Sequence, residues 1–326
     1  MQTTPATILS GIQPTGRLHV GNYLGALRNF VALQKTHQCL FMIADYHAIT
    51  ENYVPEKKRQ EIFNLAVDFL AIGLDPKKSI LFRQSCVPEH TELAWIFDTI
   101  TPISYLERMT QYKDKAGRQA ENINAGLFTY PVLQAVDILL YYTDAVPVGQ
   151  DQDQHLELTR EIVRLFNNKF GKTFKEPKTL HTQTPKVMSL LEPERKMSKS
   201  LGEGHCIFID DEPDVIQKKL SRAVTDSGDA KSPGGKNLLL LCQEFCAPQI
   251  FQTFSGAAKQ GQLRYGELKT ALGESLTQHF ADYRHRKQQL LSQPKKVEKI
   301  FTNGSKQARA IAQKTMDEVR QKIGLR

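Results

Sequence analysis

Five consecutive residues, Lys196 to Ser200, place two lysines three positions apart between small serines, and Gly202 follows them. Lysine side chains can neutralise the charge that develops on phosphate oxygens when a nucleotide is transferred. A small loop bounded by glycine can also change its conformation after a ligand has entered. The stretch therefore predicts a movable cationic loop over a polyphosphate, and the alternative is an exposed basic turn without a ligand.

A second stretch, Ser10 to Asn22, has the sequence S-G-I-Q-P-T-G-R-L-H-V-G-N and connects a short apolar strand to a helix. Gly16 and Gly21 permit close approach of the backbone to a ligand, and the first N–H groups of a helix attract anions. The stretch matches neither the Walker loop nor G-x-G-x-x-G. It predicts a phosphate-binding turn of another kind. The alternative is an ordinary strand-to-helix turn in which His19 only caps the helix.

Asp137 is an acid within the apolar segment L-Q-A-V-D-I-L-L-Y, where its neighbours would bury it. A buried carboxylate needs a partner, which can be an internal ion pair or a helix N-terminus. The functional alternative is a hydrogen-bond donor on an apolar ligand, and indole is a flat apolar ring with one N–H. Single histidines such as His90 and His155 are expected to be structural, and Trp95 is expected to pack on a helix face.

These residues fall on alternating strands and helices. The apolar patterns predict strands at Ala6–Leu9, Cys39–Ala44, Ile80–Phe82, Ala145–Val148 and Val187–Leu191. Helices between the strands imply a parallel α/β sheet, in which ligands bind beyond the carboxyl ends of the strands. An exposed polar connection is predicted from Lys113 to Asn124.

Beyond residue 204 the patterns predict helices only: one from Pro213, one over Leu238–Cys246, one over Tyr265–Leu291 and a last over Ser305–Ile323. Asn303-Gly304 is expected to break the chain before the last helix. We therefore predict three segments: residues 1–203 as a nucleotide-binding catalytic domain, 204–293 as a helical domain, and 294–326 as a basic helical segment that could pack back on the first.

The net charge of +8 is concentrated at one end of the chain. Residues 284–326 contain twelve Lys and Arg against three acids, so the remainder is close to neutral. A basic segment on a neutral body is typical of proteins that bind nucleic acid, although a solvated helix surface would look similar.

Composition excludes several classes of protein. No apolar run approaches the ~20 residues of a membrane span, and the N-terminus has no basic region followed by an apolar one, so we expect a cytoplasmic protein. Five scattered cysteines argue against a disulfide framework. Cys242 and Cys246 have the spacing of one helix face, but no second Cys/His pair accompanies them, so no metal site is predicted.

The two phosphate-binding stretches together resemble the signatures of class I aminoacyl-tRNA synthetases, H-I-G-H and K-M-S-K-S. Asn22 stands where many members have the second histidine. Further segments resemble the bacterial-type tryptophanyl-tRNA synthetase family: G-I-Q-P-T-G-R-L-H-V-G-N-Y-L-G-A, D-Y-H-A-I-T, A-G-L-F-T-Y-P-V-L-Q-A-V-D-I-L-L-Y and V-P-V-G-Q-D-Q-D-Q-H-L-E-L-T-R. The resemblance implies a Rossmann-like catalytic domain followed by an all-helical domain that binds the tRNA anticodon.

The resemblance also implies roles for individual residues. Tryptophan would be bound by His47, Tyr130, Gln134, Asp137 and Gln152, and catalysis would depend on Gln13, His19, Asn22, Lys196 and Lys199. ATP would be bound by Gln13, Pro14, Thr15, Gly21, Asn22, Gly149, Gln150, Asp151, Val187, Lys196, Met197, Ser198, Lys199 and Ser200.

The activity implied is the formation of tryptophanyl-adenylate and pyrophosphate, followed by transfer of tryptophan to the terminal adenosine of tRNA(Trp), with the 2′-hydroxyl as acceptor. Mg²⁺ is expected with the ATP, held mainly by phosphates and water. Members of the family are homodimers, so a homodimer is expected. The alternatives are a tyrosine–tRNA ligase, a small-molecule adenylyltransferase with the same turn, and an RNA-binding protein without catalysis.

Overall fold

The computed structural model describes residues 5–109, 123–149, 152–182 and 185–325. These residues form two compact units. The described residues of unit 1 fall in the ranges 5–16, 29–182 and 290–325. Those of unit 2 fall in the ranges 17–28 and 185–289. The predicted domain boundaries after residues 203 and 293 stay predictions. The connection predicted over Lys113–Asn124 lies outside the described residues up to position 122.

Unit 1 contains one parallel sheet of five strands in the order β3-β2-β1-β4-β5. The strands are β1 (Thr7–Ile12), β2 (Gln38–Ile43), β3 (Ser79–Arg83), β4 (Ala145–Val148) and β5 (Lys178–His181). Every residue of β2 from Cys39 to Ile43 is buried, because helices cover both faces of a parallel sheet. The predicted fold, a Rossmann-like sheet followed by helices, is confirmed.

The strand order changes direction between β1 and β4, since β2 and β3 lie on one side of β1 and β4 and β5 on the other. Ligands of open α/β sheets bind at such a switch point, beyond the carboxyl ends of the two strands. The loops that start there are Gln13 to Thr15 after β1 and Gly149 after β4. Both loops were predicted to bind ATP.

Helices connect the strands as the apolar spacing predicts. One continuous helix, α1, consists of Val20–Asn22, the π-helical turn Tyr23–Leu27, and Arg28–Leu33. The remaining helices up to β5 are α2 (Asp45–Ala48), α3 (Pro55–Ala71), α4 (Glu89–Asp98), α5 (Ile103–Glu107), α6 (Ala125–Leu139) and α7 (Asp153–Phe170), with a 3₁₀ turn at Gln84–Cys86.

The strand predicted over Val187–Leu191 is wrong as a member of the sheet. This segment instead pairs antiparallel with the residues after the Glu192-Pro193 turn: Ser189 N–H donates to Arg195 O at 2.9 Å, and Met197 N–H donates to Val187 O at 3.0 Å. The other edge of the segment is occupied by the Asn237 side chain, which accepts from Met188 N–H and donates to Met188 O. A local partner and an amide side chain thus take the bonds that a sheet strand would need.

Unit 2 is mainly helical beyond residue 212. Its helices are α8 (Pro213–Ser221), α9 (Pro233–Phe245), α10 (Pro248–Lys259), α11 (Tyr265–His279) and α12 (Ala281–Leu291). The single helix predicted over Tyr265–Leu291 is divided at Phe280, where the backbone leaves the helical region. The Phe280 side chain is almost fully buried and packs edge-on against Tyr23. Tertiary packing therefore overrides the continuous apolar pattern.

The last helix, α13 (Pro294–Ile323), belongs to unit 1 and packs along β3. It contradicts the predicted break at Asn303-Gly304, because Gly304 lies inside the helix and is buried. A side chain at Gly304 would overlap the backbone carbonyl of Leu81. The glycine therefore permits close contact between helix and strand, and it does not end the helix.

This packing makes Gly304→Ala a stability test. Alanine normally stabilises an exposed helix position by about 1 kcal/mol relative to glycine. At Gly304 we expect the opposite sign, a loss of about 2 kcal/mol or more in the free energy of unfolding, because the new methyl group overpacks against Leu81. Urea unfolding measures this, with Gly256→Ala as the control, since a methyl group at Gly256 in α10 meets no atom within 4 Å. Equal effects of the two substitutions would contradict the packing.

Candidate active site

The turn from His19 to Asn22 is closed by a reciprocal capping arrangement in unit 2. The His19 N–H donates to Asn22 Oδ1 at 3.0 Å, and the Asn22 N–H donates to His19 Nδ1 at 3.3 Å. The Val20 N–H donates to Ile207 O at 2.9 Å. Within the described ranges, the Gly21 N–H has no acceptor, so one of the first helical donors stays available to an anion.

Gly21 is required beside the His19 ring. A Cβ at Gly21 would lie 2.9 Å from His19 Nδ1 and 3.7 Å from the Val187 side chain. Any larger residue would displace the histidine that caps the helix. Gly21, Asn22 and Val187, which were predicted to bind ATP, are therefore neighbours in this structure.

The loop Lys196–Ser200 is fixed at its centre and open at its ends. Met197 is buried, whereas Lys196 and Ser200 are exposed and Lys199 is half-buried. Ser198 and Ser200 share a hydrogen bond of 2.9 Å between their hydroxyl groups. The backbone then leaves the loop at Gly202 with a φ of +112°, a conformation that favours glycine. Met197 therefore anchors the loop, and Lys196 is exposed to solvent beside it.

His19 is neutral in this environment. Burial lowers the pKa of its imidazole to about 4, and the positive charges of Lys199 and Lys196 act in the same direction. The capping bond requires Nδ1 without a proton, so the proton lies on Nε2. His19 can therefore donate one hydrogen bond from Nε2 to a phosphate oxygen without adding a charge.

This protonation state has a measurable pH dependence. We expect the His19 ring to show an Nε2–H tautomer in ¹⁵N NMR and to have a pKa of about 4. The unfolded chain binds a proton at about 6.5, so the stability contributed by neutral His19 is lost as the pH falls from about 6.5 towards 4. His19→Asn should weaken this part of the acid dependence. A midpoint above 6, or an Nδ1–H tautomer, would contradict the capping geometry.

Asp137 is the centre of a buried polar network in unit 1. Its Oδ2 lies 2.7 Å from His47 Nε2, and its Oδ1 accepts from Gln84 Nε2 at 2.7 Å. His90 Nδ1 lies 2.8 Å from Oδ1, with its N–H poorly aligned for a linear bond. Burial by itself would raise the pKa of Asp137, but the contacts with His47 and His90 outweigh it and hold that pKa below its usual value. The carboxylate is therefore charged.

The two carboxylate oxygens of Asp137 differ in the number of groups that face them. Two groups face Oδ1: Gln84, which donates a hydrogen bond to it, and His90, whose Nδ1 lies 2.8 Å away. Oδ2 faces only His47 in the part of the chain that the structure describes, so it can accept one more hydrogen bond. The internal partners weighed for Asp137 are therefore present as His47 and Gln84, and Oδ2 retains one acceptor lone pair.

The other residues predicted to bind tryptophan form two groups in unit 1. The Tyr130 ring packs edge-on against His47, with 6.3 Å between ring centroids, and its hydroxyl lies 3.0 Å from His155 Nε2. Gln134 Nε2 donates to Gln152 Oε1 at 3.3 Å. Tyr130 and Gln134 are one helical turn apart on α6, and Asp137 is three residues further along the same helix.

The loops at the switch point are arranged around β1. Lys58 Nζ donates to Pro14 O at 2.8 Å and lies 2.7 Å from Glu61 Oε2, so α3 supports the turn that follows β1. Gly149 ends β4, and Gln150 and Asp151, also predicted to bind ATP, lie outside the described residues. The predicted ATP-binding residues Gln13 to Thr15 and Gly149 thus belong to unit 1, and the remaining described ones belong to unit 2.

Sequence reasoning missed Gln84 and His90 as partners of Asp137, and Tyr141, whose hydroxyl lies 2.7 Å from His90 Nε2. His90 was expected to be structural, and it contacts the predicted indole acceptor directly. The signal that could have found it is the segment R-Q-S-C-V-P-E-H, which follows β3 and so reaches the same sheet edge as His47. Among the described residues, no three His, Cys, Asp or Glu side chains form a metal-binding cluster.

A family pattern described as tRNA synthetases class I (W and Y) matches residues 1–281. Two relatives named tryptophan–tRNA ligase come from Clostridium tetani, 41% identical over 99% of this chain and 97% of the relative, and from Streptomyces avermitilis, 43% identical over 97% and 96%. This chain belongs to the bacterial-type tryptophanyl-tRNA synthetases. It is therefore a member of the class I aminoacyl-tRNA synthetases, and the predicted family is confirmed.

Solved structures agree with this assignment. A tryptophanyl-tRNA synthetase from Campylobacter jejuni in complex with ADP and tryptophan has a TM-score of 0.87 at 36% identity and covers 98% of this chain and 100% of its own. A tyrosyl-tRNA synthetase from Archaeoglobus fulgidus has a TM-score of 0.70 at 22% identity, covering 88% and 91% of the two chains. The second likeness shows only the fold that the two synthetase families share.

Proposed function

We propose that this protein is a tryptophan–tRNA ligase that activates L-tryptophan with ATP and transfers it to tRNA(Trp). The observation that carries the proposal is the identity of 41–43% over nearly the whole length with relatives of that name. The geometry of unit 1 supports it, since the charged, buried Asp137 retains one acceptor position for a single donor. Indole N–H is such a donor, and the neighbouring Tyr130 supplies an aromatic wall.

The first reaction requires no covalent nucleophile from the protein. A carboxylate oxygen of tryptophan forms a bond to the α-phosphorus of ATP, the bond from phosphorus to the bridging oxygen breaks, and pyrophosphate leaves. Charge accumulates on the phosphate oxygens in this step. Lys196 and Lys199 would stabilise that charge, with the Gly21 N–H and the Nε2–H of neutral His19 as further donors. The terminal adenosine of the tRNA then attacks the adenylate carbonyl, and AMP leaves.

Mg²⁺ would accompany ATP as its bound ion. The described residues offer lysines and backbone donors near the signature turn and no carboxylate cluster. Such a donor set fits an ion that phosphates and water hold, and it does not fit a protein cage. ATP and Mg²⁺ therefore enter together in this proposal.

A homodimer is part of the proposal. Trp95 on α4, expected to be packed, is instead 72% exposed, and Ile103 on the neighbouring α5 is 66% exposed. Large exposed apolar side chains of this kind are typical of protein interfaces. Sedimentation velocity at micromolar concentration would report the oligomeric state.

No helix in the described ranges is both long and apolar enough to cross a bilayer. We propose a cytoplasmic location.

The experiment that tests the function is ATP–pyrophosphate exchange, measured with each of the twenty amino acids in turn. We expect exchange with tryptophan at least about a hundredfold above that with tyrosine or phenylalanine, because only a matching donor satisfies the buried acceptor. Exchange supported by tyrosine and not by tryptophan would indicate the tyrosine enzyme. Nucleotide transfer to another small molecule without any amino acid would indicate an adenylyltransferase.

A further inference from the structure

The basic residues of α13 fall into two groups that differ in their partners. One group is engaged within unit 1: Arg309 lies 3.0 Å from Glu89, Arg320 pairs with Glu92, and Lys322 Nζ donates to Thr173 Oγ1 at 2.8 Å. These cations attach the helix to the sheet domain. They are already neutralised and are not available to an external partner.

The second group consists of five lysines without internal partners. They are Lys295, Lys296, Lys299, Lys306 and Lys314, which we call the lysine face. All five are exposed, and in the described part of the chain none of them makes an ion pair or a side-chain hydrogen bond. The three acids of the helix do not compensate them, since Glu298 pairs with Arg83, Asp317 with Arg320, and Glu318 with Lys322.

Their spacing places the five lysines on one side of the helix. The successive intervals along Lys295, Lys299, Lys306 and Lys314 are four, seven and eight residues, and with Lys296 the five positions fall within an arc of about 100° around an α-helix. At about 1.5 Å per residue the face extends over about 28 Å. The buried residues Val297, Phe301, Ala308 and others alternate with them and lie on the opposite side, against unit 1.

The position of these lysines along the helix is unfavourable for stability. Lys295 and Lys296 lie in the first turn, where the helix dipole favours anions, and that turn contains no acidic residue. Like charges one turn apart, such as Lys295 and Lys299, also repel each other. Unpaired cations at such positions cost stability, and an external polyanion would reverse that cost.

We propose that the lysine face binds the phosphate backbone of an RNA, and the identification of that RNA as the tRNA substrate depends on the proposed function. An anionic membrane is a poorer fit, because an amphipathic helix binds a bilayer through a free apolar face, and the apolar face of α13 is buried. A protein partner is also a poorer fit, because no large apolar side chain from Pro294 to Ile323 is exposed to serve as an anchor. A row of lysines alone matches regularly spaced phosphates.

The test replaces all five lysines by glutamine, which has a similar helix propensity. We expect the affinity for tRNA to fall on the order of a hundredfold at low salt, and the slope of log K against log salt to decrease in magnitude by about 4. Phosphate contacts carry no sequence information, so an unrelated tRNA should lose a similar fraction of its affinity. Tryptophan-dependent pyrophosphate exchange, which needs no tRNA, should stay within about twofold of the wild type.

Two control proteins accompany the variant. The first removes the same charge at five other exposed lysines of unit 1: Lys35, Lys77, Lys78, Lys172 and Lys178. The second replaces the lysine face by arginine, which keeps the charge and should keep the affinity and the salt slope. The melting temperature of each protein shows that α13 remains folded.

The outcomes separate the two proposals. If the wild-type protein exchanges pyrophosphate with tryptophan but the glutamine variant keeps the salt slope of tRNA binding, the proposal for the lysine face is overturned and the proposed function stands. An equal loss of tRNA affinity in the first control would show that only net charge matters. If the wild type binds phosphatidylserine vesicles and the glutamine variant does not, a membrane would be favoured. Each of these results overturns the proposal. Absence of tryptophan-dependent exchange in the wild type would instead overturn the proposed function.

Discussion

Replacing Asp137 with alanine is expected to lower kcat/KM for tryptophan in pyrophosphate exchange by about a thousandfold, while KM for ATP stays within about twofold. The loss has two sources. The indole N–H would have no acceptor, and the donors His47 and Gln84 would be left buried without their carboxylate. Steady-state exchange kinetics at varied tryptophan and varied ATP separate the two substrates.

Asp137→Asn is the matched variant for this prediction. The amide keeps the volume of the carboxylate but loses its charge and one acceptor oxygen. We expect it to retain more stability than the alanine variant and still to lose most of the discrimination between tryptophan and phenylalanine. Urea unfolding measures the cost of the unpaired donors, which is about 3 kcal/mol for a broken buried ion pair. Unchanged discrimination in both variants would remove Asp137 from the recognition of the amino acid.

Replacing Lys199 with alanine is expected to lower kcat for exchange by about a hundredfold or more, with tryptophan affinity unchanged. The lysine would act on phosphate charge that increases in the transition state, so its loss should appear in the rate and not in amino-acid binding. The half-buried position of Lys199 near His19 supports a role in the phosphate site. Single-turnover formation of the adenylate, together with equilibrium dialysis of tryptophan, measures the two quantities.

The control for Lys199 is Lys186→Ala, which removes an exposed lysine of the same unit outside the loop. Its rate should stay within about twofold of the wild type. If Lys199→Ala weakens tryptophan binding as much as it slows the reaction, the lysine is structural. A loss of similar size in Lys186→Ala would indicate a general charge effect and not a contact with phosphate.

Four of the five strands could be predicted from the sequence because they are largely apolar, whereas β5 (Lys178–His181), an edge strand with the sequence K-T-L-H, was not predicted. The predicted bounds of Ala145–Val148 match the structure, and Cys39–Ala44 and Ile80–Phe82 differ by one residue at each end. The segment Val187–Leu191 has the same apolar character but uses its backbone bonds locally and with Asn237. The choice between these partners depends on residues distant in the sequence, so periodicity cannot decide it.

The errors in the helical part have a similar cause. Glycine after asparagine is a common stop signal, but at Gly304 the need for contact with the Leu81 backbone is stronger than the local preference. At Phe280 a buried aromatic side chain ends one helix and allows the next to begin, in a stretch without Gly or Pro. Local propensity is weak compared with tertiary packing in both places.

Those features of the candidate site that depend on residues adjacent in the sequence could be predicted. The burial of Asp137 follows from its apolar neighbours, and the cationic loop follows from five adjacent residues. The partners of Asp137 could not be deduced in this way, because His47, Gln84 and His90 come from three other elements. The same holds for the neutral state of His19, because its pKa is lowered first by burial and then by lysines that are remote in the sequence.

The proposed recognition of tryptophan depends most on one contact, between the carboxylate of Asp137 and the ring of the amino acid. A crystal structure of the protein with bound L-tryptophan measures it directly. We expect the indole nitrogen within about 3 Å of Asp137 Oδ2, because Gln84 and His90 both face Oδ1, whereas among the described residues only His47 faces Oδ2. An indole nitrogen that donates to any other group, with Asp137 contacting only His47, Gln84 and His90, would contradict the account.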